Sequence, residues 1–260
     1  MKPEEIAAYI GAAAWLQPIA FLIYKMAMKS RLRVIPNQSA QVGFTAYGPI
    51  FNVNMVFLVE NRDLIIDGLE LNVRHENGES RNFRWSGIAE TFSEISDSAG
   101  NKQIVSKDQS PIAIKVLVQG LIEKFVRFQE PSFHLADSVT TKALVTHFNF
   151  VKQRSPNTFA SEVLDSKEYS NVIKGRQNWF PWKPGRYTLE LNPTSPQRFK
   201  LLDSTYTFEL TQNDVELLQK NLTVVEADLN NLISSNIPNF TAMPVDWKWA
   251  EVAIHIIKNS

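Results

Sequence analysis

The residue types that most often bind metals or carry out catalysis are thinly spread in this chain. No two of its four histidines have the short spacing of a helical zinc site such as HExxH. The 260 residues include no cysteine, so thiolate ligands, cysteine nucleophiles and disulfides are excluded. We therefore predict no metal site and no cofactor. The histidines are His75, His134, His147 and His255.

Sequence motifs of the common enzyme classes are missing as well. The chain has no GxSxG nucleophile elbow, no Walker phosphate loop and no GxGxxG turn. Glu90 and Glu94 have the types needed for an acid and a base, but carboxylates exposed on a strand or loop are far commoner. We expect a protein that is not an enzyme, and a hydrolase with a dispersed site is the alternative.

A group of aromatic residues interleaved with two basic residues could form a binding surface. Such rings and cations can bind a sugar, a base or a peptide. In the alternative interpretation, which we favour, the rings seal one end of a β core beside a proline turn. The group consists of Trp179, Phe180, Trp182 and Tyr187 with Lys183 and Arg186.

The balance of charges argues against nucleic acid as a partner. The chain has 27 Lys and Arg residues and 27 Asp and Glu residues, which gives a formal net charge of zero. A general nucleic-acid binder needs a basic excess, because its affinity comes largely from the counterions that neutralised phosphates release. Hydrophobic content of 44% and charged content of 21% are typical of a folded globular chain.

The N-terminal region contains an apolar run long enough to cross a bilayer. Residues 6–24 are 19 consecutive uncharged positions, and a spanning helix needs about 20. Gln17 is the only strongly polar side chain in the run, so the polar stripe of a soluble helix is missing, and membrane helices tolerate Pro18. We favour a membrane anchor over a buried core helix or a cleaved signal. The anchor residues are Ile6, Trp15, Leu16, Phe21, Leu22, Ile23 and Tyr24.

The charges that flank the run predict its orientation. Four basic residues follow the run, and only Lys2 precedes it. Because cytoplasmic flanks carry the excess of Lys and Arg, we expect a single-pass membrane protein whose body lies in the cytoplasm, with a very short N-terminus outside. The same cations can attract anionic lipid headgroups. They are Lys25, Lys29, Arg31 and Arg33.

A β-hairpin is the clearest local prediction in the body of the chain. Apolar and polar residues alternate on both sides of Asn77-Gly78, as in a half-buried strand pair. A three-residue loop, residues 76–78, pairs Leu71 with Phe83 and keeps the apolar side chains on one face, whereas a two-residue loop would mix the faces. Gly78 then takes the left-handed position that such loops require.

The remaining patterns favour a mainly β fold. Strands are predicted in residues 42–57, 64–66, 112–117, 123–129, 142–151 and 206–210, with a short amphipathic helix near 158–175. After a Pro-Gly turn, Tyr187, Leu189 and Leu191 alternate in a way that resembles a late strand of immunoglobulin-like and fibronectin-type sandwiches. This resemblance implies an immunoglobulin-like β-sandwich body.

A different periodicity begins at Thr211, which can cap a helix together with Asp214. Large apolar residues then recur every three or four positions, as on one face of an amphipathic helix. The stripe either packs on the protein's own sheet or contacts a partner, and the apolar tail after Pro238 is either a last strand or a segment for a partner. The stripe contains Leu218, Leu222, Val225, Leu229 and Leu232, and the tail contains Trp247 and Trp249.

These observations predict three parts and one role. Residues 1–30 form the transmembrane helix and its basic flank, 31–210 the β-sandwich with its inserted helix, and 211–260 the amphipathic helix and tail. We expect a membrane-anchored interaction or scaffold protein that binds the bilayer and an unknown protein partner or a second copy. A periplasmic or extracellular ligand-binding sandwich of inverted topology is the alternative. The predicted interaction residues are Trp179, Trp182, Tyr187, Leu218, Leu222, Val225, Leu229, Trp247 and Trp249.

Overall fold

The computed structural model describes residues 14–21, 24, 28–96, 102–235 and 237–257. Residues 14–21 are helical, and the rest is mainly β, as the sequence predicts. The strands are β1 (Ser30–Thr45), β2 (Gly48–Glu60), β3 (Leu64–Ile66), β4 (Gly68–His75), β5 (Ser80–Ser96), β6 (Lys102–Gln109), β7 (Ile114–Val116), β8 (Leu121–Gln129), β9 (Gly185–Thr194), β10 (Phe199–Leu202), β11 (Thr205–Leu210), β12 (Trp249–Ala253) and β13 (His255–Ile256). The helices that follow β8 are α1 (Pro131–Arg154), α2 (Phe159–Leu164), α3 (Lys167–Asn178), α4 (Gln212–Gln219) and α5 (Asn221–Ser234).

Eleven of the strands form one continuous sheet, in the order β10-β1-β2-β8-β5-β4-β9-β11-β13. Strand β6 pairs with β5, and β12 pairs with β1, while β3 and β7 form a separate two-stranded ribbon. Strands β12 and β13 are nearly consecutive, yet the first pairs with β1 and the second with β11, near the opposite ends of the order. The sheet is therefore curled until its ends meet, and the immunoglobulin-like sandwich of two facing sheets is not confirmed.

Alternating side chains point into the curl and form the main core. Phe51, Val53 and Phe57 of β2 are at most 1% exposed, which confirms the period-two prediction for this segment. The hairpin is also confirmed, because Leu71 pairs with Phe83 and Gly78 has a φ of 95°. Parity alone was enough to fix this register, since a shift by one residue would turn the apolar residues outward.

A tyrosine joins the two strands that meet where the sheet closes. Tyr206 of β11 is 2% exposed, and its Oη lies 2.8 Å from the carbonyl oxygen of Val34 in β1 and 2.7 Å from that of Asp203. The hydroxyl has one proton and donates to one carbonyl at a time. It therefore links the start of β1 to the turn between β10 and β11.

The predicted strand at residues 142–151 is wrong, because these residues lie in the 24-residue helix α1. Leu144, Phe148 and Phe150 alternate with polar residues, but Phe133, Leu144 and Val151 are the buried residues of the helix. Spacings of eleven and seven positions place these three side chains on one face of a helix. The packing of that face on α2 and α3 decides the structure. The predicted helix near 158–175 is two helices, with Ser166 capping the second by accepting a hydrogen bond from the backbone N–H of Tyr169.

The C-terminal helical prediction is confirmed with one change. Thr211 and Asp214 form the reciprocal capping box that the sequence predicts, but the helix is divided at Lys220 into α4 and α5. The apolar stripe is shared between two cores. Leu218 and Val225 join the core of the sheet, whereas Leu229 packs with residues of α1, α2 and α3 in a second, helical core.

The N-terminal apolar run lies largely outside the described residues. Within the part of the chain that the structure describes, no helix has both the length and the apolar character needed to cross a membrane.

Candidate functional site at the proximal end of the sheet

The N-terminal run joins the sheet at one end, which we call the proximal end. Strand β1 begins there beside the last residue of β2, with Arg31 opposite Glu60, and β8 begins there, with Leu121 opposite Leu58. At the opposite, distal end lie the turn between β1 and β2, the hairpin loop at residues 76–78 and the start of α1. The strand pairings thus define a proximal end, where β1 begins, and a distal end.

Three chain segments form a cleft of about 380 Å³ at the proximal end. Asn61 donates a side-chain hydrogen bond to the Lys29 carbonyl at 3.1 Å, and the Ser30 hydroxyl donates to the Arg62 carbonyl at 3.1 Å. These bonds hold the first residues of β1 against the loop after β2. The cleft is lined by Met28, Lys29, Ser30, Arg62, Asp63, Gln197 and Arg198.

The charges of this cleft are mainly positive. Lys29, Arg62 and Arg198 are exposed cations from three separate segments, and Asp63 is the one acid among the described residues that line the cleft. The Asp63 carboxylate accepts the backbone N–H of Val118 at 2.8 Å, so one of its oxygens anchors the neighbouring loop. This cleft can attract an anionic group such as a phosphate.

The loop that Asp63 anchors carries exposed apolar side chains. It turns at Gln119, whose φ is 60° and whose N–H donates to the Val59 carbonyl at 3.2 Å. The loop is thereby fixed to the proximal end of β2, with its apolar side chains in solvent. These are Leu117, 53% exposed, Val118, 41%, and Leu121, 64%, the first residue of β8; Ile112, 86% exposed, lies in the neighbouring segment before β7. We call these four residues the apolar loop.

Strands β5 and β6 form a two-stranded arm that extends towards the proximal end. Pairing between β5 and β8 ends at Ala89 opposite Phe125, but pairing between β5 and β6 continues to Ser96 opposite Lys102. Because β5 runs towards the proximal end, the arm continues beyond its contact with β8 on that side of the molecule.

The residues predicted to set topology are also at the proximal end, where the structure describes them. Lys29 lines the cleft, while Arg31 pairs with Glu60 at 3.5 Å and Arg33 with Asp203 at 3.6 Å, both at exposed positions. Lys25 lies outside the described residues. Among the anchor residues, Trp15, Leu16, Phe21 and Tyr24 are exposed, and Ile6, Leu22 and Ile23 lie outside the described residues.

Most residues predicted to bind a partner are packed inside the chain. Trp182 is 3% exposed, stacks on Phe83 and donates its Nε1–H to the Gly43 carbonyl at 2.9 Å. Tyr187 stacks on Phe208 with the ring planes 6° apart. Leu218, Val225 and Leu229 are buried, whereas Trp179, Leu222, Trp247 and Trp249 are half-buried. A contact of these residues with a partner stays a prediction, and their packing serves the distal end and the two cores.

The last strand explains the position of Trp249. Strand β12 pairs with β1 so that Trp249 lies opposite Gly43, and a Cβ added to Gly43 would stand 2.3 Å from the Trp249 ring. The glycine therefore leaves the space that the indole occupies. Of the two alternatives for the tail, the last strand is the observed one.

Buried polar groups hold the helices to one another and to the sheet. Arg176 of α3, 8% exposed, donates from Nε to Asp137 Oδ1 of α1 at 2.7 Å and from Nη2 to Oδ2 at 3.1 Å. Arg81 of β5 pairs with the buried carboxylate of Glu130 at 2.9 Å, next to the start of α1. These pairs serve the fold, and among the described residues no group of three or more His, Asp or Glu side chains is arranged to hold a metal.

The shifted pKa values belong to structural groups as well. Burial raises the pKa of Tyr169 to about 12, and burial also raises the pKa of Tyr187 and Tyr206. A hydrogen bond from Lys183 lowers the pKa of Glu79 at the distal end. None of these groups lines the proximal cleft.

Sequence reasoning missed two exposed apolar surfaces. The apolar loop was missed because residues 112–117 alternate like a buried strand. In the structure, residues 114–116 of this stretch are the ones that pair with β3. The outer side of α1 was missed because part of that helix was predicted as a strand. Its exposed apolar residues are Leu135, Val139, Val145 and Phe150.

No protein-family model, no curated protein sequence and no solved structure matches this chain.

Proposed function

We propose that this chain is a membrane-anchored, non-catalytic interaction protein that holds its β body at the cytoplasmic face of a bilayer, with the proximal end towards the lipid. One observation carries the proposal. The N-terminal apolar run, the basic cleft and the apolar loop are all connected to the same end of the sheet. An end that combines exposed apolar groups with cations is suited to a membrane interface.

The anchor and its orientation rest on the run and its flank. The 19 uncharged positions of residues 6–24 approach the length that a spanning helix needs. Lys25, Lys29, Arg31 and Arg33 follow the run, and such cations are retained on the cytoplasmic side.

The interaction role rests on the exposed apolar side chains of helix α1, which begins at the distal end. Helix α1 starts there, away from the proximal end, and it exposes Leu135, Val139 and Phe150 on its outer side. Exposed apolar side chains along one helix are a common feature of protein contact surfaces. A protein partner or a second copy of the chain can reach this helix while the proximal end faces the lipid.

A labelling experiment tests both the anchor and the side of the membrane. Because the chain has no cysteine, a single Tyr47→Cys substitution creates one thiol at an exposed position of the distal end. In intact cells, a membrane-impermeant maleimide should leave this thiol unlabelled, and permeabilisation should restore labelling. The protein should also stay in the membrane pellet after alkaline carbonate extraction. Labelling in intact cells would refute the cytoplasmic orientation, and release by carbonate would refute the anchor.

A further inference from the structure

We propose that the proximal end is itself a binding surface for anionic phospholipid, in which the basic cleft receives a headgroup phosphate and the apolar loop enters the interface. This inference rests on the proposed function and goes beyond it, because an anchor alone would let the body rotate freely above the bilayer. Two surfaces at the same end would instead fix the body on the lipid.

The cleft supplies the positive charge. Lys29, Arg62 and Arg198 reach it from the start of β1, the loop after β2 and the loop before β10. Because they come from three segments that hydrogen bonds and strand pairing hold together, the cations converge in a preformed cleft. Guanidinium groups match phosphate oxygens with two parallel hydrogen bonds, and the ammonium group adds a third charged donor.

The apolar loop supplies the second contact. Four large apolar side chains within ten positions are exposed at 41–86%, which is more than isolated surface residues would explain. The loop is tied to the cleft, because Asp63 of the cleft accepts the N–H of Val118 in the loop. Cations beside apolar side chains form the pattern of segments that lie in a membrane interface.

The distance to the anchor favours lipid as the occupant over a soluble partner. Met28 lines the cleft, and Tyr24 ends the apolar run only four residues earlier. Four residues span at most about 14 Å when fully extended. With Tyr24 at the boundary of the hydrocarbon, the cleft is thus held close to the headgroup layer, which is about 5–8 Å thick.

The test places a fluorescent reporter in the apolar loop of the full chain. Ile112→Cys provides the only thiol, and labelling it with an environment-sensitive dye leaves the core untouched because this side chain is 86% exposed. The chain is incorporated into nanodiscs of phosphatidylcholine alone or with about one-third phosphatidylserine. We expect brighter, blue-shifted emission in the anionic discs and quenching by nitroxide-bearing lipids. The same dye at Tyr47→Cys, at the distal end, should report water in both discs.

Charge variants test the role of the cleft. Each cation near an anionic surface changes the binding constant about five-fold, so Lys29→Gln, Arg62→Gln and Arg198→Gln together should lower the equilibrium constant for docking on the order of 100-fold. Arg74→Gln, an exposed cation near the distal hairpin loop, is the matched control and should leave the signal unchanged. Soluble phosphate added to the neutral discs should not move the reporter, because docking needs the lipid surface.

The possible failures are distinguishable. If the chain elutes with the nanodiscs but the label at residue 112 stays in water in both mixtures, the docking inference is overturned and the anchor stands. An equal response of the triple and control variants would overturn the role of the cleft. If the chain does not elute with nanodiscs at all, the anchor and the docking inference fail together.

Discussion

Replacing Tyr206 by Phe removes one oxygen from the closure of the sheet without changing the shape of the core. The Tyr206 hydroxyl lies 2.8 Å from the Val34 carbonyl and 2.7 Å from the Asp203 carbonyl in a site that is 2% exposed. The variant leaves these carbonyls without that donor. An unsatisfied buried polar group costs about 1–3 kcal/mol, so Tyr206→Phe should lower the free energy of unfolding by that amount at pH 7.

The same variant should respond differently to alkaline pH. Burial, followed by the nearby Asp203 carboxylate, raises the pKa of Tyr206 above its ordinary value. In the unfolded chain the phenol ionises near its usual pKa of about 10, so the folded state loses stability as pH rises beyond that value. At pH 11 this loss is about 1.4 kcal/mol for one tyrosine. Phenylalanine has no ionisable group, so the Tyr206→Phe variant does not lose this stability. The difference in free energy of unfolding between wild type and variant should therefore shrink by about 1.4 kcal/mol between pH 7 and pH 11.

Urea unfolding followed by tryptophan fluorescence at the two pH values measures this difference. Tyr169 and Tyr187 also have raised pKa values, but they are present in both proteins and cancel in the comparison. Tyr47→Phe, at a side chain that is 64% exposed, is the control and should match the wild type at both pH values. A variant as stable as the wild type at pH 7, or a difference that grows towards pH 11, would refute the account of the closure.

Other substitutions test the helical part and the hairpin. Asp137→Ala leaves the buried Arg176 guanidinium without its carboxylate and should cost about 3–5 kcal/mol in urea unfolding, whereas the double variant Asp137→Leu/Arg176→Met should recover most of that loss. An Asp137→Ala protein within about 1 kcal/mol of the wild type would contradict this. Gly78→Ala and Gly175→Ala both add a methyl group with no atom within 4 Å, so packing cannot distinguish them. Gly78 has a φ of 95°, and its replacement should destabilise the protein by about 1 kcal/mol, whereas Gly175 lies inside α3 and its replacement should stabilise it by roughly 0.5–1 kcal/mol. Thermal unfolding checks both signs, and changes of the same sign would disprove the backbone argument.

The sequence could predict those features that neighbouring residues decide. The hairpin register follows from the parity of Leu71 and Phe83, and the cap of α4 follows from Thr211 and Asp214. In both cases the partners are separated by at most a dozen positions. The periodicity of such short segments therefore contains the information that the fold uses.

Features that distant segments decide could not be predicted in this way. Residues 142–151 alternate like a strand, and they are helical because Leu144 and Val151 fit the core that α2, α3 and α5 complete. The basic cleft depends on Arg198, which strand pairing brings beside Lys29 from 169 positions away. No local sequence pattern indicates that Lys29, Arg62 and Arg198 are neighbours, although each is visible in the sequence.

The position of β12 imposes an order in time on the folding of this chain. Residues 39–43 of β1 pair with residues 249–253, which the ribosome adds about 200 positions later. At 5–20 residues per second, roughly 10–40 s pass between the synthesis of the two segments. During this interval one edge of β1 has no partner from β12, and an open strand edge invites pairing with other chains. A nascent chain thus emerges with its apolar N-terminal run long before its sheet can close. A chaperone that covers strand edges would be most useful in those seconds.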